Sequence, residues 1–169
     1  STFKIITAAA GLEEGKINED TLIKDTGIIT VGAFSFANWY YTQYGKTEGE
    51  VGIVKAIARS NDIFFYKVGE WIGEAKVEDW AAKFGLGTTL GIEIAGEEKG
   101  SVRRDRQWYL GDTYHLAIGQ GDLLATPLQI NTMTAIIANG GKRCKPTILK
   151  SKIQSNKFQT NSKSQASSF

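Results

Sequence analysis

The sequence predicts a mainly helical domain with only a few short strands. Three observations lead there. Apolar residues recur at spacings of three and four along several stretches, the period of a helix face. Glycines fall at the ends of these stretches, where helices stop. A full start signal, Thr126-Pro127 followed by Gln129, opens the best-marked of them. With 169 residues, 41% apolar and 22% charged, the chain has the balance of one globular domain with a sizeable core.

Taken in order, residues 2–14, "TFKIITAAAGLEE", are expected to form a helix with Phe3, Ile6 and Ala10 on one face and Gly15 at its C-terminal cap. Residues 25–34, "DTGIITVGAF", read as a short strand region punctuated by glycine. "FANWYYTQYG" is rich in aromatic residues and ends in a turn at Gly45; its rings are expected in a core rather than along a groove. "EGEVGIVKAIAR" predicts a helix with Val51, Val54 and Ile57 inward, stopping near "RSND". "IFFYKVGEWIG" predicts another, with Phe64, Val68 and Ile72 on one side. "KVEDWAAKFGLG" predicts a short helix with Val77, Trp80, Ala81 and Phe84 inward, ended by Gly85 and Gly87.

Residues 88–114 read as irregular, with turns at "GEEKG" and a basic patch of Arg103, Arg104 and Arg106 taken as solvated surface. In "ATPLQINTMTAIIANGG", Thr126 caps, Pro127 takes the first helical position and Gln129 completes a capping box. Leu128, Thr132, Ala135 and Ile136 continue one face, and Gly140 closes the helix. "KPTILKSKI", ending at residue 153, reads as a strand with no antiparallel partner after it. From 154 to 169 the composition turns to Ser, Asn, Gln and Lys, a flexible polar segment or an abrupt end beside the packed region 1–153.

The composition also excludes some functions. Net charge is +2 with both signs mixed along the chain, so no nucleic-acid partner is expected. No apolar run approaches the roughly 18 residues of a membrane span, and no signal peptide is visible. Cys144 and His115 are each the only residue of their kind, which leaves no internal disulfide and no cysteine-based metal site. A Ser-His-Asp triad would have to use His115, which is instead expected to be a partly buried hydrogen-bonding residue. No metal and no cofactor is expected.

Two stretches could carry chemistry. In "STFK", Ser1 and Lys4 are three residues apart and share a helix face. Ser1 could simply be a helix N-cap, but a capping box would place Glu or Gln, not Lys, at the fourth position. A lysine in the first turn faces the positive end of the helix dipole, at a cost of a few tenths of a kcal/mol. That field, with burial, favours the neutral amine that a general base must be. In "RSND", Ser60 and Asp62 are two apart in a turn and can point into one cleft; the competing reading is an ordinary cap for the next helix. Two further stretches are set aside. "GKTEG" carries Glu48 inside what would be a Lys-Thr-Gly box and has no strand after it, and "GQGDLL" lacks the third glycine of a dinucleotide fingerprint.

Together these pieces resemble the transpeptidase domain of penicillin-binding proteins, whose superfamily signature joins Ser-x-x-Lys, a Ser-x-Asn-type element and Lys-Thr-Gly. The first is "STFK" and the second "SND"; "DTG" and "FANW" lie between them as in the family. "FGLGTTLGIEIAGEEKG", "WYLGDTYHLAIGQGDLLATPLQ" and "IANGGKRCKPTIL" follow in the family's order, "GQGDLLATPLQ" being the most specific. "WYLGDT" and the acidic Asp62 are most similar to class B, elongation-type members.

The resemblance implies an α+β fold, an α/β sandwich of which this chain holds mainly the helical part. It implies that Ser1 Oγ attacks a D-alanyl-D-alanine stem peptide, Lys4 accepts its proton, Ser60 relays a proton to the leaving D-alanine, and Asp62 holds Lys4 and the substrate amide. The N–H of Ser1 would form half of an oxyanion hole. β-Lactams would acylate Ser1 as substrate mimics. The implied partners are peptidoglycan stem peptides and a glycosyltransferase of the elongation machinery. The implied location is the outer face of a bacterial cytoplasmic membrane, with the anchor outside this chain. Two departures stand out. Asp62 replaces the Asn of many relatives and would pull the Lys4 pKa upward. The Lys-Thr-Gly strand is not found, so the chain reads as a fragment, expected to be inactive alone. Other implied readings are a serine β-lactamase or DD-carboxypeptidase, and a non-enzymatic β-lactam sensor.

Overall fold

A computed structural model describes residues 1–103 and 106–149. The first helix, α1 (Lys4–Glu13), forms where the period places it and ends before Gly15. It buries Ile6 and Ala10, with Phe3 tucked under its start. The helix that organises the domain is α4 (Asp62–Ile72). Asn61 caps it: its side-chain oxygen accepts the Phe64 N–H at 2.9 Å. Asp62 adds a negative charge where the helix dipole favours one. Phe64, Phe65 and Val68 are fully buried on one side of α4, and Ile63 and Tyr66 are buried on another. A helix apolar on most of its surface belongs at a centre, and α4 packs against α1, α5 (Glu74–Lys83) and α6 (Leu110–Ala117). Val77, Trp80, Ala81 and Phe84 face inward as expected, and Phe64, Val68 and Ile72 share the buried side of α4.

The α4–α6 contact is close because Gly69 has no side chain. A Cβ there would sit 2.5 Å from Ala117 Cβ. Gly69→Ala is expected to cost about 1–3 kcal/mol as the helices move apart. Denaturant unfolding measures this, and an unchanged midpoint would show that the contact is not tight. Thr7 Oγ1 ties α1 to the same turn of α6 by donating to Ala117 O at 2.7 Å.

The strands are short. β1 (Ile23–Asp25) pairs antiparallel with β4 (Gly49–Val51), with Ile23 opposite Val51. β2 (Ile28–Val31) and β3 (Phe34–Ala37) form a hairpin with Val31 opposite Phe34. The hairpin is anchored by Phe36, whose ring meets Tyr114 and Tyr66 edge-on at 5.1 and 6.0 Å. These rings and Ile63 make a second small core on the far side of α4.

The structure corrects several expectations. The segment 48–59 is not one helix. Its first residues pair in β4, and α3 (Ile53–Arg59) begins after Gly52. Ile53 and Ala56 face inward, while Val54 is 80% and Ile57 45% exposed. The periodicity was ambiguous because Val51 is buried as a strand residue. The aromatic run becomes α2 (Trp39–Tyr44), none of whose residues is buried; only Phe36 of that stretch reaches a core. The end of the supposed irregular region, residues 110–114, lies in α6 (Leu110–Ala117). In α7 (Pro127–Ala138) the capping box is present, but Gln129, Thr132, Met133 and Ile136 face inward rather than Leu128 and Ala135.

Gln129 has a second use. Its amide donates to Thr88 O and Lys99 O, both at 2.8 Å, and so fixes the irregular segment to α7. Residues 145–149 are not strand; the rest of that predicted strand, the polar segment 154–169 and Arg104 lie outside the described residues. Arg106 is no free surface charge: it pairs with Asp112 and Asp122. His115 is exposed rather than partly buried, edge-on to Phe36 at 5.3 Å.

Candidate active site

The fold brings the four residues singled out from the sequence to one place. Ser1 leads into α1, and Lys4 is that helix's first residue. Ser60 ends α3 and Asp62 begins α4. Packing of α1 against α4 therefore decides whether the two short motifs meet. They do. Ser1 Oγ lies 2.8 Å from Ser60 Oγ. The Lys4 ammonium donates to Ser60 Oγ at 2.8 Å, to Ser60 O at 2.7 Å and to Asp62 Oδ1 at 2.5 Å. An ammonium has three protons, and here each has an acceptor. The hydrogen-bonded path from Ser1 to Lys4 runs through Ser60.

The electrostatics favour chemistry. Lys4 is only 5% exposed, and burial lowers its pKa below the ordinary 10.5. The hydrogen bond and charge of Asp62 oppose that shift without reversing it. The expectation that Asp62 would set the amine against a base role is thus outweighed by desolvation. Lys4 Nζ also lies 5.7 Å from the centre of the Phe65 ring, which supplies a low-dielectric wall.

Ser60 is the one non-glycine residue with positive φ among those described, at φ 51° and ψ 43°. For an L-residue the left-handed region costs roughly 1–2 kcal/mol, and such strain persists only where the surroundings fix it. In "RSND" the capping role and the contact with Lys4 fall to different residues. Asn61 is the cap, and Ser60 and Asp62 turn the other way, to Lys4.

Residues the sequence reasoning missed surround this centre. Asp62 Oδ2 accepts the Trp39 N–H at 2.9 Å, and the Asp62 N–H donates to Asn38 Oδ1 at 3.2 Å. Asp25 is buried beneath them. Glu48, in the stretch dismissed as a false box, takes Arg59 at 2.6 Å and the Asn61 amide at 3.3 Å, and the short strand β4 does follow it. The only signal for these roles was that "DTG" and "FANW" sat where the family carries similar segments.

Ser1 opens on a small cavity of about 230 Å³ lined by Phe3, Gly119, Leu123, Ala125 and Met133. Gly119, from the rejected "GQGDLL" fingerprint, packs against Phe3. A surface groove of about 660 Å³ lies between the hairpin and α6 and is lined by Phe34, Tyr109 and His115, away from Ser1.

An exposed serine, a second serine and a buried lysine in hydrogen-bonded line form an arrangement that can carry serine acyl transfer. Comparison with known proteins gives the same class. Residues 1–168 match the penicillin binding protein transpeptidase domain, and the chain belongs to that family. It is 35% identical over 160 residues to the peptidoglycan D,D-transpeptidase MrdA of Haemophilus influenzae, covering 89% of this chain and 24% of that protein. It is 30% identical over 165 residues to MrdA of Escherichia coli K12, covering 93% of this chain and 26% of that one.

Among solved structures, the penicillin-binding protein PBP2 of Helicobacter pylori, in complex with MreC, superposes with a TM-score of 0.79 at 34% identity, over 87% of this chain and 28% of that one. PBP2 of Pseudomonas aeruginosa in complex with WCK 5153 gives 0.79 at 32%, over 87% and 35%. The fold is that of the penicillin-binding-protein transpeptidase domain, α+β, in its mainly helical part. The chain spans about a quarter of the length of the curated relatives it matches.

Proposed function

We propose that this chain carries the acylation centre of a peptidoglycan DD-transpeptidase, with Ser1 as nucleophile. The single observation behind the proposal is the line Ser1 Oγ, Ser60 Oγ, Lys4 Nζ, joined by two contacts of 2.8 Å. In the proposed reaction Ser1 Oγ attacks the carbonyl carbon of the penultimate D-alanine of a stem peptide. Its proton passes through Ser60 to the amine of Lys4, which burial holds nearer the neutral form. The peptide C–N bond breaks, and Ser60 returns a proton to the amine of the leaving D-alanine. The acyl group on Ser1 then passes to an amine of a neighbouring stem peptide, forming the crosslink and freeing Ser1. Asp62 holds the lysine in place throughout, and the Ser1 N–H contributes to binding the oxyanion.

Family membership supports the substrate class, and the names of the similar proteins support crosslinking as the activity. β-Lactams, as strained acyl donors, would acylate the same serine. A partner that polymerises glycan is supported by the similarity, with TM-score 0.77, to a structure described as coordinating polymerization and crosslinking in a peptidoglycan synthase complex. With such substrates, the proposed reaction would take place at the outer face of a bacterial cytoplasmic membrane. No helix among the described residues is long and apolar enough to cross a membrane.

The test uses the longest native form of the protein that contains residues 1–169. Incubation with lipid-linked disaccharide-pentapeptide and a glycan polymerase should give crosslinked peptide dimers, and labelled penicillin should form a slowly released adduct. Rapid release of the label would make the protein a β-lactamase. Hydrolysed monomers without dimers would make it a carboxypeptidase, and an adduct with neither product would make it a sensor.

A further inference from the structure

We propose that Asp25 is a positioning residue for the acylation centre: its carboxylate fixes the Ser60–Asp62 turn against Lys4 through Asn38 and Asn61. Asp25 is 2% exposed and receives four N–H groups. Gly27 N–H donates to Oδ1 at 2.8 Å. The Asn38 side-chain amide at 2.9 Å, Glu48 N–H at 3.0 Å and the Asn61 side-chain amide at 3.0 Å all donate to Oδ2. The donors come from four separate segments: the turn before β2, the start of α2, the approach to β4 and the turn between α3 and α4. Gly27 has φ 78°, and a Cβ there would strike the Tyr41 ring at 2.4 Å, so the turn that aims its N–H needs glycine.

The two asparagines carry the effect upward. Because the Asp25 carboxylate accepts all four bonds, each amide must point its nitrogen down and its oxygen up. The Asn38 oxygen then receives the Asp62 N–H at 3.2 Å, and the next residue, Trp39, gives its N–H to Asp62 Oδ2. The Asn61 oxygen caps α4 through the Phe64 N–H. Asp62 is thereby held from behind while its other oxygen holds Lys4, and Ser60, next to Asn61, is kept in its left-handed conformation. An oxygen or an amine in the wrong place at residue 25 would turn both asparagines. Asp25 touches none of the four site residues except through these amides and reaches no substrate. Its effect is on their geometry.

The rate readout of this proposal rests on the acyl-transfer function given above; a second readout does not. Asp25→Asn keeps the size but sets an amine against donating N–H groups. Acylation by labelled penicillin, per folded molecule, is expected to fall about 10- to 100-fold, by analogy with the loss of the groups that orient metal ligands. Val77→Ala, a cavity variant in the main core, should lower stability without that loss. Asp25→Asn/Asn38→Asp, which reverses one of the four bonds, should recover part of the rate.

The independent readout is the titration of Lys4 by NMR of labelled lysine. The charged group facing Lys4 is Asp62 from α4, with Tyr66 beyond Asp62. Loosening Asp62 should move the Lys4 titration to lower pH. Wild-type rate and an unmoved Lys4 titration in Asp25→Asn would overturn the positioning role. If no form is acylated but the Lys4 titration still moves, the positioning role stands and the acyl-transfer function falls. Should Asp25→Asn fail to fold, Asn38→Ala, which removes one link only, gives the same comparison.

Discussion

Replacing Lys4 with methionine is expected to lower the rate of Ser1 acylation about 1,000-fold per folded molecule, within the range that a positioned proton acceptor supplies. Methionine keeps the length and apolar stem of the side chain and removes only the amine. Ser1 Oγ would still meet Ser60 Oγ, but the relay would end there, with no group to take the proton. Lys4→Arg should be as slow, since a guanidinium cannot lose its proton at accessible pH. The pH profile gives a second check. Burial lowers the Lys4 pKa, and only the neutral amine accepts a proton. In the wild type the rate should therefore rise with pH through a midpoint below 10.5. Lys4→Met should lose that limb. Stopped-flow acylation with a chromogenic β-lactam measures both, and a Lys4→Met protein as fast as wild type would remove the lysine from the mechanism.

The second large effect concerns stability. Lys4 and Asp62 form a buried pair, their side chains 6% and 11% exposed. Asp62→Ala would leave the ammonium with only Ser60 as acceptor, and stranding one member of a buried pair costs about 3–5 kcal/mol. The sign with pH follows from Lys4. Asp62 raises the lysine pKa, so its removal pushes the folded-state value further below the unfolded one. Below the folded pKa the full penalty applies. As pH rises from there towards 10.5, the folded protein has shed the proton and the unfolded chain has not, so stability recovers. Denaturant unfolding near pH 7 and again about pH 10 should show the deficit shrinking. Lys4→Met/Asp62→Leu, which removes both charges, should be less damaged than Asp62→Ala alone, because no uncompensated charge stays buried. A deficit that does not change with pH would mean that the loss is one of packing.

Much of this was legible in the chain. α4 and α5 declared themselves through an unbroken apolar face, and α7 through its capping box. The meeting of "STFK" with "SND" could be expected from the family resemblance but not from either motif. It depends on two helices 58 positions apart packing together, a tertiary fact.

What failed did so for identifiable reasons. Val51 is buried by strand pairing, so it misled the helical period that placed Val54 and Ile57 inside. The aromatic run at 39–44 was expected in a core because rings usually pay for burial, yet it stays at the surface beside the site, where Arg59 lies over the Trp39 and Tyr40 rings. Asp25, Asn38 and Glu48 were invisible as a group because three polar residues spread over 23 positions converge only once the strands have paired.

Mass spectrometry after brief exposure to a β-lactam addresses the nucleophile itself. The intact protein should gain the mass of one opened β-lactam, and peptide mapping should place it on Ser1 as an ester. The Ser1→Ala protein, whose fold should survive because Ser1 is exposed and bonded through its side chain only to Ser60, should gain nothing. An adduct that maps to another residue, or that persists at full yield in Ser1→Ala, would show that the acyl group is carried elsewhere.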